Sequence, residues 1–106
     1  MANVIELDDN NFAQTISSQP LALVDIYASW CGPCRLFAPV FEKVSEKYRG
    51  QIPFYKIDGD DNPNCREELT IDNLPFIAAY RDGKFVKGVS TSTEEGLVDF
   101  IQSLHS

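Results

Sequence analysis

Apolar residues along this chain fall into short continuous runs and into longer segments with helical spacing. The short runs predict five strands, at 4–7, 21–28, 52–57, 76–80 and 84–89. The second run is apolar on both faces except at Asp25, which is typical of a central strand covered on both sides. Asp82 and Gly83, between the last two runs, predict a tight hairpin.

The segments with helical spacing predict four helices between and after these strands. The longest, from about residue 31 to residue 48, contains Pro39, which should kink it, and Gly50 ends it. Its inner face is expected to consist of Phe37, Val40, Phe41, Val44 and Tyr48. The expected starts of the others are Asp8 or Asp9 for the first helix, Asn62-Pro63 for a short one through Leu69, and Ser92 or Thr93 for the last.

The resulting order is β-α-β-α-β-α-β-β-α. Early strands separated by helices pair in parallel through right-handed crossovers, and the late hairpin adds an antiparallel edge. The prediction is therefore an α/β fold of three layers, α/β/α, with a central mixed sheet. A length of 106 residues indicates a single domain over 1–106.

Composition narrows the range of partners and compartments. The formal net charge is −7, whereas nucleic acids and anionic membranes attract basic surfaces, so neither is expected as a partner. The first residues show no secretory signal pattern. Three cysteines are few and odd in number for a secreted scaffold, which favours a reducing compartment. We expect a soluble cytoplasmic protein.

Two of the three cysteines form the pair Cys31 and Cys34, with Gly32 and Pro33 between them. The pair falls where a central strand ends and a helix begins, so free backbone N–H groups and the helix dipole should stabilise a thiolate at Cys31. Cys34 lies one turn further in and points toward the protein. The geometry predicts that Cys31 attacks a disulfide and that Cys34 resolves the mixed disulfide.

The stretch VDIYASWCGPCRLFAPVFEKV resembles the active-site strand and helix of the thioredoxin family, and the resemblance extends over the whole chain. It implies the thioredoxin fold and a monomeric protein-disulfide reductase with no bound cofactor beyond a redox-active Cys31-Cys34 disulfide. A partner reductase, one using flavin and NADPH, would return the electrons, and the substrates would be disulfide-containing proteins. The Gly-Pro dipeptide between the cysteines favours a reductase over an oxidase or isomerase, because that loop in thioredoxin accompanies a reduction potential of about −270 mV.

The resemblance also implies roles for residues around the pair. Asp25 would lie beneath Cys34 and exchange protons with it, with Lys56 moderating its charge; the alternative is a structural acid paired to Lys56. Pro75 would be cis, although most bonds before proline are trans. The substrate would meet Trp30, Gly32, Pro33, Leu74 and Pro75, unless Trp30 is part of the core.

Other readings of the cysteines and acids remain open. A zinc half-site would need two more ligands, and only Cys65 and His105 are available. A non-catalytic adaptor with the same fold is a further alternative that a reduction assay decides. Cys65 is expected to be a small buried thiol, and the acidic run 58–61 a turn rather than a calcium loop.

Two residues depart from the family pattern. Phe76 stands where threonine is usual, and Ser90 stands where the family has a docking-surface glycine. If Phe76 packs inward it should make the floor of the site more apolar around Asp25, and if it points outward it should enlarge an apolar contact patch. Either outcome predicts a narrowed or shifted range of partners.

Overall fold

A computed structural model describes residues 3–67 and 69–105. The strands are β1 (Val4–Leu7), β2 (Leu21–Tyr27), β3 (Phe54–Asp58), β4 (Phe76–Arg81) and β5 (Lys84–Ser90); the helices are α1 (Phe12–Ser17), α2 (Gly32–Lys47) and α3 (Glu94–Ser103), with a 3-10 turn at Pro63–Arg66. The order along the chain is the predicted one. Among these residues, no helix is both long and apolar enough to cross a membrane.

The strands form one sheet in the order β1-β3-β2-β4-β5. β3 pairs in parallel with β1 and β2, whereas β4 is antiparallel to both β2 and β5. The predicted mixed sheet is therefore confirmed. Asp82 and Gly83, which join β4 to β5, have φ angles of 54° and 85°. Two successive positive φ angles match the twist of a tight hairpin.

The two faces of the sheet are covered by different helices. One face packs against α2 and α3, and its buried side chains include Leu23, Phe37, Phe41, Ile77, Leu97 and Ile101. The other packs against α1 and the 3-10 turn, and includes Ile16, Val24, Ile26, Cys65, Phe76 and Ala78. Because successive residues of a strand point to opposite faces, β2 contributes its odd-numbered side chains to the first face and its even-numbered ones to the second.

Three predicted boundaries are wrong by two residues or more. β3 begins at Phe54 rather than at residue 52. The residue capping α1 is Asn11, and the side chain of Asp8 instead accepts hydrogen bonds from the N–H groups of Asn10 and Asn11, which forms a turn before the helix. The short helix is a 3-10 turn that ends at Arg66; its expected continuation crosses Glu68, which lies outside the described residues. Thr93 is the cap of α3, because its Oγ1 accepts the N–H of Gly96 at 3.0 Å.

Candidate active site

The two cysteines lie where β2 gives way to α2. Cys31 is the residue that caps α2, and it forms a disulfide with Cys34, with 5.3 Å between their Cα atoms. The N–H of Cys34 points at the Sγ of Cys31 over 3.2 Å. Pro33 occupies the first turn, where it has no N–H to leave unpaired. The helix start thus provides the positive environment that stabilises a thiolate at Cys31.

The two cysteines line different cavities, although both residues are almost fully buried, with 4% of Cys31 and 3% of Cys34 exposed. Cys31 lines an open groove of about 350 Å³ together with Trp30, Gly32, Pro33, Ile71 and Leu74. Cys34 lines a separate cavity of about 260 Å³ together with Asp25, Tyr27, Arg35, Ala38 and Lys56. Position relative to these spaces, rather than exposure, distinguishes the two cysteines.

Asp25 is a buried acid that lines the same cavity as Cys34. It is 4% exposed, and its Oδ1 has no hydrogen-bond partner within the described part of the chain. Burial raises the pKa of its carboxyl from the ordinary 3.8 to about 7, and the nearby positive charge of Lys56 opposes this rise. The carboxyl can therefore both release and take up a proton near neutral pH.

Lys56 lies directly across from Asp25 in the β2-β3 pairing and across from Glu6 in the β1-β3 pairing. No hydrogen bond or ion pair joins Lys56 to Asp25 in the described residues. Lys56 therefore acts on the acid through its charge. The side of the cavity is formed by Tyr27, whose hydroxyl donates a hydrogen bond to the carboxylate of Glu6.

The segment before β4 forms the wall opposite Cys31. The peptide bond between Leu74 and Pro75 is cis, as the resemblance implied. The carbonyl oxygen of Leu74 lies 3.8 Å from the Sγ of Cys31, and both side chains belong to one small apolar cluster. The backbone of Leu74 is thus adjacent to the disulfide and borders the open groove.

Trp30 is a surface residue rather than part of the core, since 69% of it is exposed. Its indole Nε1 donates to Oδ2 of Asp60 at 2.5 Å, and Asp60 in turn lies 3.6 Å from the guanidinium of Arg66. The sequence had predicted only a turn here, and a turn does form, because Oδ1 of Asp58 accepts the N–H groups of Asp60 and Asp61.

Asp60 and Arg66 are site residues that the sequence analysis missed. A signal for Asp60 exists in the sequence, since it follows the carboxyl end of β3, beside the end of β2 where the cysteines lie. Arg66 borders the groove of Cys31, but it comes from the 3-10 turn, whose contacts depend on how that turn folds back over the sheet.

Cys65 is buried on the opposite face of the sheet, in the cluster that contains Ile16 and Ile26. Burial, reinforced by the nearby charge of Asp9, raises the pKa of its thiol to about 11. No group of three or more metal-binding side chains occurs in residues 3–67 and 69–105. The expectation of a small buried thiol is confirmed.

Both expectations for Phe76 are wrong. It is only 6% exposed, so it does not enlarge an apolar patch. It pairs with Ile26 across β2 and β4, and therefore lies on the face opposite to Asp25, where it cannot make the floor of the site more apolar. Its ring instead covers Gly88, where an added Cβ would lie 2.3 Å from the Cζ of Phe76.

Comparisons with known proteins agree with this geometry. The Thioredoxin family model matches residues 3–103. A thioredoxin of Staphylococcus saprophyticus is 34% identical over 100 residues, which cover 93% of this chain and 95% of the relative. A bifunctional thioredoxin reductase/thioredoxin of Mycobacterium leprae is 37% identical over 86 residues, or 80% of this chain and 19% of the relative.

A solved structure is also similar to this chain over nearly its whole length. A chain from the crystal structure of a complex between ferredoxin:thioredoxin reductase and thioredoxin f2 matches with a TM-score of 0.89 and 31% identity, covering 99% of this chain and 98% of that one. The predicted thioredoxin fold is therefore confirmed.

A dithiol that closes into a disulfide can exchange two electrons with another disulfide, which is the chemistry of thiol-disulfide oxidoreductases. The family match is more specific, and the chain belongs to the thioredoxin family. It is a protein-disulfide reductase that works by dithiol-disulfide exchange through Cys31 and Cys34.

Proposed function

We propose that Cys31 is the attacking thiol and Cys34 the resolving thiol. The thiolate of Cys31 attacks one sulfur of the substrate disulfide, which forms a mixed disulfide and releases the other sulfur as a thiolate that takes up a proton. Cys34 then attacks the Sγ of Cys31, which releases the second substrate thiol and leaves the Cys31-Cys34 disulfide. The observation that supports this assignment is that Cys31 borders the groove lined by Trp30 and Leu74, whereas Cys34 borders a separate cavity together with Asp25.

Asp25 is proposed as the proton-exchange partner of Cys34. Cys34 has to lose its proton before it attacks, and Asp25 and Cys34 line the same cavity. A carboxyl with a pKa of about 7 can accept that proton at neutral pH. The role proposed for Lys56 is electrostatic, because its charge limits how far burial raises the pKa of Asp25.

The docking surface is proposed to consist of Trp30, Gly32, Pro33, Leu74 and Pro75. Four of these five residues line the groove of Cys31, and Leu74 reaches within 3.8 Å of the sulfur through its carbonyl oxygen. An extended substrate segment would pair with the backbone of Leu74 while the exposed indole of Trp30 contacts its side chains.

The test is insulin reduction with dithiothreitol as electron source. The parent protein should accelerate the reduction, Cys31→Ser should abolish the acceleration, and Cys34→Ser should accumulate a mixed disulfide with the substrate through Cys31. Cys65→Ser serves as the matched control and should behave like the parent. Full turnover by Cys34→Ser would show that the two roles are assigned wrongly.

The electron donor is proposed to be a thioredoxin reductase that uses flavin and NADPH. The fusion of reductase and thioredoxin in the Mycobacterium leprae relative supports a reductase partner, while the thioredoxin f2 complex makes a ferredoxin-dependent reductase the competing donor. Each purified reductase should be supplied with its own electron source and this protein as oxidant. Faster reduction by the ferredoxin-dependent enzyme would overturn the flavin proposal.

We further propose that the chain acts as a monomeric single domain over 1–106, as a cytoplasmic electron carrier. The family model spans most of this length, and the net charge of −7 is compatible with free diffusion. Sedimentation equilibrium at increasing concentration should give a constant mass near 11.9 kDa. Cell fractionation should recover the protein with soluble cytoplasmic markers, and enrichment in an organelle or envelope fraction would contradict that localisation.

A further inference from the structure

Ser90 occupies a position next to the segment that faces the disulfide. It is the last residue of β5 and pairs with Phe76, the first residue of β4. Phe76 directly follows Pro75, so the end of β5 lies beside the segment 70–75. The close packing of the Phe76 ring on Gly88 fixes this end of β5 against β4.

The side chain of Ser90 reaches across to that segment. Its hydroxyl donates a hydrogen bond of 3.0 Å to the carbonyl oxygen of Asn73. Within residues 3–67 and 69–105 this is the one hydrogen bond that the stretch 70–73 makes. Thr70, Asp72 and Asn73 are all exposed, so little else restrains them.

The restrained carbonyl is chemically linked to the backbone that borders Cys31. The oxygen of Asn73 and the N–H of Leu74 belong to the same planar peptide unit, so fixing the direction of one fixes the direction of the other. Leu74 also carries the carbonyl oxygen that lies 3.8 Å from the Sγ of Cys31. An incoming extended segment would use the N–H and C=O of Leu74 as its pairing groups.

We propose that Ser90 is a positioning residue for substrate docking, which holds the Asn73-Leu74 peptide plane in the orientation that pairs with an extended, disulfide-bearing protein segment. This inference rests on the proposed docking role of Leu74. Glycine or alanine at position 90 would lack the hydroxyl, and the plane could then rotate before substrate binds. Loss of this orientation should slow the reduction of substrates that pair with the backbone of Leu74. A small disulfide needs only the groove beside Cys31 and should be reduced at the same rate.

The experiment compares the parent with Ser90→Ala, Ser90→Thr and the control Ser92→Ala, whose serine is also exposed. Single-turnover reduction of insulin and of 5,5′-dithiobis(2-nitrobenzoate) is measured for each reduced protein. Ser90→Ala should lose about three- to tenfold in the second-order rate constant for insulin, mainly through a higher half-saturating insulin concentration, and retain its rate with the small disulfide. Ser90→Thr keeps a hydroxyl and should restore insulin reduction, and Ser92→Ala should match the parent.

A second measurement does not depend on activity. The order parameter of the Leu74 amide, from ¹⁵N relaxation, should fall in Ser90→Ala and not in Ser92→Ala. Equal insulin kinetics for Ser90→Ala and the parent, or an equal loss with both substrates, would overturn the positioning role. A parent that reduces the small disulfide but not insulin would instead overturn the proposed docking function, even where the order parameter falls as expected.

Discussion

At the scale of single residues, two buried titratable groups on opposite faces of the sheet differ in what they can do at neutral pH. Burial raises the pKa of both Asp25 and Cys65, since an apolar surrounding disfavours their charged forms. Asp25 has Lys56 on the next strand to oppose that rise, and its pKa of about 7 leaves it able to exchange protons. The pKa of Cys65 is about 11, and its thiol stays protonated and unreactive at neutral pH.

Replacement of Asp25 by Asn should slow disulfide reduction near neutral pH. The amide cannot take the proton of Cys34, so the part of the parent's pH-rate profile that reflects ionisation of Asp25 near pH 7 should be lost, while the part that reflects ionisation of Cys31 remains. Insulin reduction between pH 5 and pH 9 measures this, and Asp99→Asn, which changes an exposed acid on α3, is the control. A pH-rate profile for Asp25→Asn that is unchanged from the parent's would remove Asp25 from proton exchange.

At the scale of elements, α3 supports α2, the helix that begins at the cysteine pair. α3 packs against α2, and salt bridges from Lys43 and Lys47 to Glu94 join the two helices on their exposed side. Exposed pairs of this kind contribute little to stability. The cap at Thr93 contributes more, because it satisfies an N–H that the helix leaves unpaired.

Removal of the Thr93 hydroxyl should destabilise the protein measurably. Thr93→Ala loses the hydrogen bond to the N–H of Gly96, and the expected cost is about 1 kcal/mol. Urea unfolding at constant pH measures it. Ser92→Ala should leave the unfolding midpoint within error of the parent, and the reverse ranking of the two variants would mean that the cap is assigned to the wrong residue.

Phe76 and Gly88 should be energetically coupled across the hairpin. An added methyl at position 88 would lie 2.3 Å from the Cζ of Phe76, so Gly88→Ala alone should cost about 1–3 kcal/mol. In a Phe76→Thr background the ring is absent, and the same change should cost no more than about 0.5 kcal/mol. A double-mutant cycle by urea unfolding checks this, and additive costs would contradict the contact.

At the scale of the whole molecule, the buried acid Asp25 reduces stability at neutral pH. The folded state binds a proton at Asp25 more tightly than the unfolded chain does, because the pKa is about 7 in the first and near 3.8 in the second. Between these values the folded state holds more protons, so stability falls as pH rises. Below pH 3.8 Asp25 is protonated in both the folded and the unfolded state, so it no longer lowers the free energy of unfolding.

Asp25→Asn should therefore become more stable than the parent as pH increases. Relative to their difference at pH 3.5, the gain should reach about 4 kcal/mol above pH 7, at about 1.4 kcal/mol for each unit by which the pKa is raised. Chemical unfolding of both oxidised proteins across this range tests the sign. A difference that is independent of pH would mean that Asp25 is not a raised-pKa acid.

The features that the sequence by itself determined are those carried by local spacing. The Cys31-Cys34 pair at a strand-helix boundary depends on residues close in the chain, as do the tight turn at Asp82 and Gly83 and the apolar run that buries Asp25. Short-range steric and burial rules act on such segments wherever the rest of the chain lies. The order of helices and strands followed from the same rules.

Only the tertiary structure decided the features that depend on register and on contacts between distant segments. Phe76 and Asp25 lie on different faces of the sheet because Phe76 pairs with Ile26. A shift of the β2-β4 register by one residue would have moved Phe76 to the face of Asp25. The contacts of Trp30 with Asp60 and of Ser90 with Asn73 join residues 30 and 17 positions apart. Alternation along a strand reveals that two faces exist, but the pairing of strands selects which residues share one.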